Sequence, residues 1–298
     1  QKGATILTRH KCTKLKQDGD RWSVEYQSTG RKKDKTIIKA GMVVNAAGPW
    51  VRNILEGSKL TKPEYGIPNV RMVKGSHIID KRQFQGEHAY ILQQPDNRIT
   101  FAIPYEKEYT LIGTTEEEYE GDARKAIISD AETKYLIDAH NRFFSKEISK
   151  ADVMWTYSGV RPLYEKISNE DSDATSATRD YCLHKHLECT APLISVFGGK
   201  LTTYRRLAED CVDQILHLGN RSAKPWTGTQ VLPGGDILNA DFDAFLAAQG
   251  QRYKWLPKAL LLRYARSYGT NMDVFLRDAR VLKDLGEDFG DHVYETEI

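Results

Sequence analysis

The sequence predicts an α/β (α+β) protein in which a layer of buried strands and helices is interrupted by an antiparallel sheet and then followed by a helical region. Three observations predict this. Two buried-type strands, one ending at Val43-Val44-Asn45 and one at Ile194, Val196 and Phe197, each run into a turn of small residues and then a helical period. Between them, from about residue 70 to 186, short runs alternate with a period of two. From about Asp236 onward the apolar residues recur at helical spacing.

In chain order, residues 4–9, 22–26 and 35–39 alternate like strands of a small antiparallel meander, with Gln17-Asp18-Gly19-Asp20 as one turn. The basic run Arg31-Lys32-Lys33-Asp34-Lys35 falls between two of these strands and reads as a solvated hairpin loop. A helix starts at Val51. Strands follow over 73–79, 88–92, 99–103, 109–113, 154–158 and 181–186. One helix interrupts them, opening with the capping box Ser129-Asp130-Ala131-Glu132 and turning Leu136, Ala139 and Phe143 inward. Residues 201–218 carry Leu207, Ala208, Cys211, Val212 and Ile215 on one helical stripe, with Gly219 as a stop. Helical periods then cover Phe242, Phe245 and Leu246, residues 260–268 and residues 274–282. The expected organisation is 1–69 and 191–225 for two pieces of the α/β layer, 70–190 for the inserted sheet, and 226–298 for the helices. A site at the junction of layer and insert follows.

A chain of 298 residues is long enough for two core-forming units and part of a third. Its net charge of +2, from 43 basic and 41 acidic residues, gives no case for nucleic acid, so any attraction to an anion must be local. No apolar run approaches the ~20 residues needed to span a bilayer, and no signal peptide, repeat or low-complexity segment is evident. Cys12, Cys182, Cys189 and Cys211 read as reduced and cytosolic. Cys182, His184 and His186 share one strand face, but Cys-x-His-x-His-x-x-Cys is not a structural zinc spacing. Three ligands strung along one extended strand do not close easily round one ion, so no metal site is expected.

Two turns have the chemistry of a binding site. Ser-Val-Phe-Gly-Gly-Lys-Leu-Thr-Thr-Tyr-Arg, residues 195–205, places Gly198 and Gly199 between a strand and a helix start bearing Lys200, Thr202 and Thr203. Free amides, the helix dipole and a lysine there favour negative charge. The four-residue spacer of a Walker A loop is missing. In Asn45-Ala46-Ala47-Gly48-Pro49-Trp50 the small residues let a bulky ligand touch the main chain at a strand's carboxyl end, where open α/β sheets bind ligands. Taken alone, each stretch also describes an ordinary strand-to-helix turn.

Taken in order, the motifs are specific. Asn-Ala-Ala-Gly-Pro-Trp (45–50), Lys-Gly-Ser-His (74–77), Ile-Gly-Thr-Thr (112–115), Trp-Thr-Tyr-Ser-Gly-Val-Arg-Pro (155–162), Thr-Arg-Asp-Tyr (178–181) and Phe-Gly-Gly-Lys-Leu-Thr-Thr-Tyr-Arg (197–205) follow one another. Val-Leu-Pro-Gly-Gly (231–235), Tyr-Ala-Arg-Ser-Tyr-Gly (264–269) and Leu-Gly-Glu-Asp-Phe-Gly (285–290) come after them. This series closely resembles the FAD-dependent, respiratory glycerol-3-phosphate dehydrogenases, essentially from Gly3 to the last residue. The resemblance implies an FAD/NAD(P)-binding-like layer, an inserted substrate sheet of the D-amino-acid-oxidase kind and a partial C-terminal helical domain. One departure is plain: no Gly-x-Gly-x-x-Gly occurs anywhere in the chain. The chain is therefore expected to be an internal fragment that does not hold FAD tightly, or act, on its own.

The resemblance further implies oxidation of sn-glycerol 3-phosphate to dihydroxyacetone phosphate, with hydride transfer to FAD and electrons passed to a quinone. It places the protein on the cytoplasmic side of the inner membrane, peripherally bound, with a homodimer as one arrangement. Arg161 and Arg179 offer planar forks for phosphate or for a polarised oxygen. His77, with an ordinary pKa of ~6.5, suits proton transfer, or orients the C2 hydroxyl. Lys200 would stabilise the reduced flavin. Ala46, Gly48, Trp50, Gly198, Gly199, Lys200, Leu201 and Thr202 would line the FAD. Two other readings stand beside this one: an FAD-dependent amine or amino-acid oxidoreductase of the same fold, and a chain that only packs or binds.

Overall fold

The computed structural model describes residues 3–165 and 180–298. They fall into two compact units, Gln1–Ala223 and Lys224–Ile298.

The described residues of the first unit form three sheets. Strands β1 (His10–Asp18), β2 (Arg21–Ser28) and β3 (Lys35–Ala40) form an antiparallel meander. Residues 4–9, expected as its first strand, are not one; β1 starts at His10. Strand β1 is mostly polar and is recruited by pairing, Leu15 opposite Val24 and Cys12 opposite Tyr26, rather than by its own alternation. Trp22 is 1 % exposed, and its indole N–H donates to the carbonyl of Pro192 at 3.0 Å, which fastens the meander to the next sheet.

That sheet joins β4 (Val43–Asn45), β12 (Leu193–Gly198) and β11 (Tyr181–Lys185) in the order β11-β12-β4, with β12 parallel to β4 and antiparallel to β11. Residues Leu193 to Phe197 are all buried, as a strand covered on both faces should be. Leu15, Trp22, Leu193 and Phe197 share a core with Val51 and Leu55 of helix α1 (Val51–Gly57). Strand β11, counted with the insert from sequence, instead pairs with β12; its register with Val196 and Phe197 outweighs its nearness in sequence to the strands before it.

The largest sheet runs β10-β5-β8-β7-β6, from β5 (Asn69–Lys81), β6 (Tyr90–Gln93), β7 (Ile99–Tyr105), β8 (Tyr109–Gly113) and β10 (Trp155–Glu165), with β9 (Glu117–Glu118) against the first half of β5. Helix α2 (Asp130–Asn141) covers one face, its Leu136 packing with Ile78, Ile112 and Ile148. The capping box is formed: Ser129 accepts from the Glu132 amide, and Glu132 accepts from the Ser129 amide. Phe143 is not inward but 48 % exposed. The helix ends at Asn141, whose side chain bonds both the N–H and the carbonyl of Ile148 and turns the chain away.

Residues 201–203 make a single tight 3-10 turn, and helix α3 (Tyr204–Leu218) begins only after it, ending at Gly219. Of the expected stripe, Cys211 is buried, Leu207, which packs at Gly199, and Ile215 are half-buried, and Ala208 and Val212 are exposed.

In the second unit, α4 (Phe242–Arg252), α5 (Lys258–Tyr268) and α6 (Met272–Phe275) pack round Leu260, Tyr264, Met272 and Leu276. The helix expected over 274–282 stops at Phe275. Arg280 takes the carbonyls of Arg277 and Ala279, and Asp284 accepts from the amides of Arg280 and Val281, which opens a new turn. Among the described residues, no helix is long and apolar enough to cross a membrane.

Candidate active site

Strand pairing brings His77 and Arg161 to one face. His77 lies opposite Tyr157 on β10 and opposite Gly113 on β8, and Tyr157, Gly159 and Arg161 alternate onto the same side. The His77 ring stacks on Tyr157 with centroids 4.7 Å apart at 9°. Its Nδ1 is buried without a partner among the described residues, which leaves Nε2 as the nitrogen able to meet a ligand. Burial first, and the Arg161 charge second, hold the imidazole down at about 4. It is neutral at physiological pH, able to accept a hydrogen bond but a weak base. The Arg161 guanidinium donates to Thr114 Oγ1 at 3.1 Å and to Glu116 Oε1 at 3.2 Å. Arg179 lies outside the described residues.

Directly beneath this face is a polar hub that the sequence reading missed. Glu132, 1 % exposed, accepts from Lys74 at 2.7 Å, from the hydroxyls of Ser76 and Thr115 at 2.7 Å each, and from its capping amide. Burial pushes its carboxyl up, but these donors outweigh it and hold the pKa at about 2. Ser76 also meets Ser158 at 2.8 Å, so the hub ties β5, β10 and α2 together at the residue before His77. The capping box advertised Glu132 as a helix start; its second role depends on Lys74, 58 positions away, and no local pattern carries that.

The two small-residue turns follow the parallel strands β4 and β12. Asn45, buried, donates to the Val51 carbonyl at 2.9 Å and accepts from the Ala47 amide at 3.4 Å, pinning the first turn. Ala46 is exposed, and Gly48 has a left-handed φ of 53° with open space where a Cβ would stand. Ala47, Pro49 and Trp50 line a cavity of about 930 Å³ together with Lys11, Lys14 and Ile54. At the second turn Gly198 and Gly199 have φ of 71° and 101°. The Gly199 amide donates to Asp180 and the Lys200 amide to Thr203 Oγ1, so neither is free for a ligand as expected. Lys200, Leu201 and Thr202 are exposed. Tyr164 of β10 stands 3.3 Å from the position of a Gly198 Cβ, so β10 reaches from the His77 face to this turn. Two adjacent parallel strands ending in bare, left-handed main chain beside a lysine fit a dinucleotide such as FAD.

His186 bonds Ser195 and Glu188 at 2.9 Å each, a serine–histidine–carboxylate chain, but Ser195 is fully buried in β12 and presents no nucleophile. Among the described residues no group of three or more His, Cys, Asp or Glu side chains is arranged to hold a metal ion.

Comparison with known proteins agrees with this arrangement. Residues 1–205 match the model of the FAD dependent oxidoreductase family. The chain belongs to that family, whose cofactor is FAD. The chain is 42 % identical over 300 residues to the aerobic glycerol-3-phosphate dehydrogenase of Escherichia coli (strain K12), covering 100 % of this chain and 58 % of that protein. It is 37 % identical over 298 residues to the D-erythritol 1-phosphate dehydrogenase of Brucella abortus (strain 2308), covering 100 % and 58 %. It thus spans less than two thirds of these relatives. The solved glycerol-3-phosphate dehydrogenase from Bacillus halodurans complexed with FAD superposes with a TM-score of 0.75 at 27 % identity, over 92 % of this chain and 52 % of that one. The amino acid oxidase NikD, at 16 % identity and a TM-score of 0.54 over 75 % of this chain and 54 % of that one, shares the fold.

Proposed function

We propose that this chain supplies the substrate face and part of the flavin site of a dehydrogenase that oxidises sn-glycerol 3-phosphate to dihydroxyacetone phosphate. The observation that carries the reading is the pairing of His77 and Arg161 on one open sheet face, a neutral acceptor beside a fixed guanidinium. The relatives' names support a polyol phosphate as the substrate class. Oxidation at C2 removes a hydride from carbon and a proton from oxygen; His77 is too weak a base to keep that proton, which passes to solvent water. Bound FAD supplies the two-electron acceptor. Arg161, and Arg179 as a second fork, hold the phosphate or polarise the C2 oxygen. His77 Nε2 accepts a hydrogen bond from the C2 hydroxyl and so fixes its direction; this needs the ring proton on Nδ1. Lys200 holds negative charge at the turn after β12, and Ala46, Gly48, Trp50, Gly198 and Gly199 give the cofactor close access to main chain.

Transfer of the electrons to a quinone, peripheral contact with the cytoplasmic face of the inner membrane, and a homodimer belong to the same proposal and rest on the motif resemblance. Quinone reduction assayed with and without phospholipid vesicles tests them. The amine-oxidising alternative shares the fold, but no described feature favours it. Anaerobic mixing of glycerol 3-phosphate with the FAD-loaded, full-length protein to which this chain is expected to belong should bleach the flavin absorbance promptly; that full-length protein is used in every FAD-loaded experiment below. No bleaching with this substrate, together with reduction by glycine or sarcosine, would reverse the assignment.

A further inference from the structure

Three glycines lie on the open face of the large sheet, and two of them have a steric reason within the fold. A Cβ on Gly113 would overlap the His77 ring. A Cβ on Gly75 would come 2.5 Å from Arg161 Nη2 and 2.6 Å from Thr114 Oγ1. Both glycines are buried beneath the side chains they seat. Gly159 is different. It is exposed, its φ is not left-handed, and a Cβ there would meet no atom of the described residues within 4 Å. The pairing of β10 with β5 continues through it without a bulge, Gly159 opposite Gly75. A glycine inside a strand weakens it and, without a bulge, marks a place where another group approaches the main chain. Gly159 stands midway between Tyr157, which backs the His77 ring, and Arg161, positions about 13 Å apart along a strand.

We propose that Gly159 is a specificity-determining position whose bare main chain forms the floor for the carbon chain of a phosphorylated polyol, between Arg161 and His77, with Gly75 and Gly113 as the positioning residues that seat those two side chains. This rests on the function proposed above and adds to it the surface that reads the polyol. An alanine at this position projects one methyl into the space the carbons occupy, while the guanidinium and the imidazole keep their seats.

The test is Gly159→Ala in the FAD-loaded protein, with steady-state kinetics, spectral titration of the oxidised flavin and thermal unfolding. The KM for glycerol 3-phosphate should rise about tenfold or more, the discrimination one methylene provides in a fitted pocket, with kcat little changed. The dissociation constant of inorganic phosphate, read from the flavin spectrum, should stay at the wild-type value, because phosphate alone needs Arg161 and not the floor. The melting temperature should hold or rise, since alanine suits a strand better than glycine. Unchanged KM, or loss of the fold, overturns the proposal. A parallel loss of phosphate affinity also overturns it, by showing that Arg161 has been displaced instead. If the wild-type protein is neither reduced nor spectrally perturbed by glycerol 3-phosphate, the functional reading fails first and takes this inference with it.

Discussion

The two faces of the six-stranded sheet are built from alternate residues of the same strands and behave oppositely. On the covered face Lys74, Ser76 and Ile78 point at α2, where Ile78 and Ile112 meet Leu136 and the Lys74 and Ser76 donors converge on Glu132. On the open face Gly75 and His77 look the other way, and among the described residues the imidazole Nδ1 has no partner and a Cβ on Gly159 would have no neighbour within 4 Å. A buried hub fixes the backbone at Ser76, and the neighbouring residue can then present an incompletely satisfied group at a defined place. The comparison teaches that stability and chemistry are separated here by the pleat, not by distance along the chain.

Breaking the covered face should have the largest effect. Glu132→Gln leaves the Lys74 ammonium, 9 % exposed, with Glu117 at 3.4 Å as its remaining carboxylate. The expected cost is about 3–5 kcal/mol of unfolding free energy, read from urea denaturation. The pH dependence has a definite sign. A carboxyl held at about 2 adds stability that is present above its ordinary value of 4.5 and lost as pH falls from there through about 2. The glutamine variant should lack that slope. Leu136→Ala, at a fully buried contact with Ile78 and Ile112, should cost about 3 kcal/mol in the same measurement.

Changes on the open face should leave stability alone and alter chemistry. Flavin reduction, which needs the neutral imidazole, should fall only along an acid limb near 4, well below the ordinary histidine value. His77→Asn should remove that limb and lower the plateau by about tenfold, the worth of one hydrogen bond of about 1.4 kcal/mol. Stopped-flow reduction across pH checks both, and a wild-type limb kept by the asparagine variant would take that limb away from His77. The smallest effect belongs to the solvent side of α2. Lys134→Ala, which removes an exposed pair with Asp138, should shift stability by no more than about 0.5 kcal/mol.

What the sequence made legible was local. The Ser129–Glu132 box, the strand ending at Gly113 and the helix stop at Gly219 are read from spacings of a few residues, and the structure has all three. What stayed hidden depends on register between distant strands. Strand β1 begins at His10 because β2 pairs with it there, and β11 belongs to β12 for the same reason. The candidate site divides in the same way. His77 and Arg161 stand out by motif, but the hub under them, and the glycines at 75, 113 and 159 that shape their surroundings, take meaning only once β5, β8 and β10 are side by side.

The central claim is that the open face of β5 and β10 is the substrate face, and Arg161 tests it most directly. Arg161→Lys keeps the charge and loses the planar fork. In the FAD-loaded protein, kcat/KM for glycerol 3-phosphate should fall by roughly two orders of magnitude or more, equivalent to ~3 kcal/mol of transition-state binding, with the melting temperature unchanged. Near-normal turnover with wild-type affinity for glycerol 3-phosphate would remove Arg161, and with it this face, from the reaction.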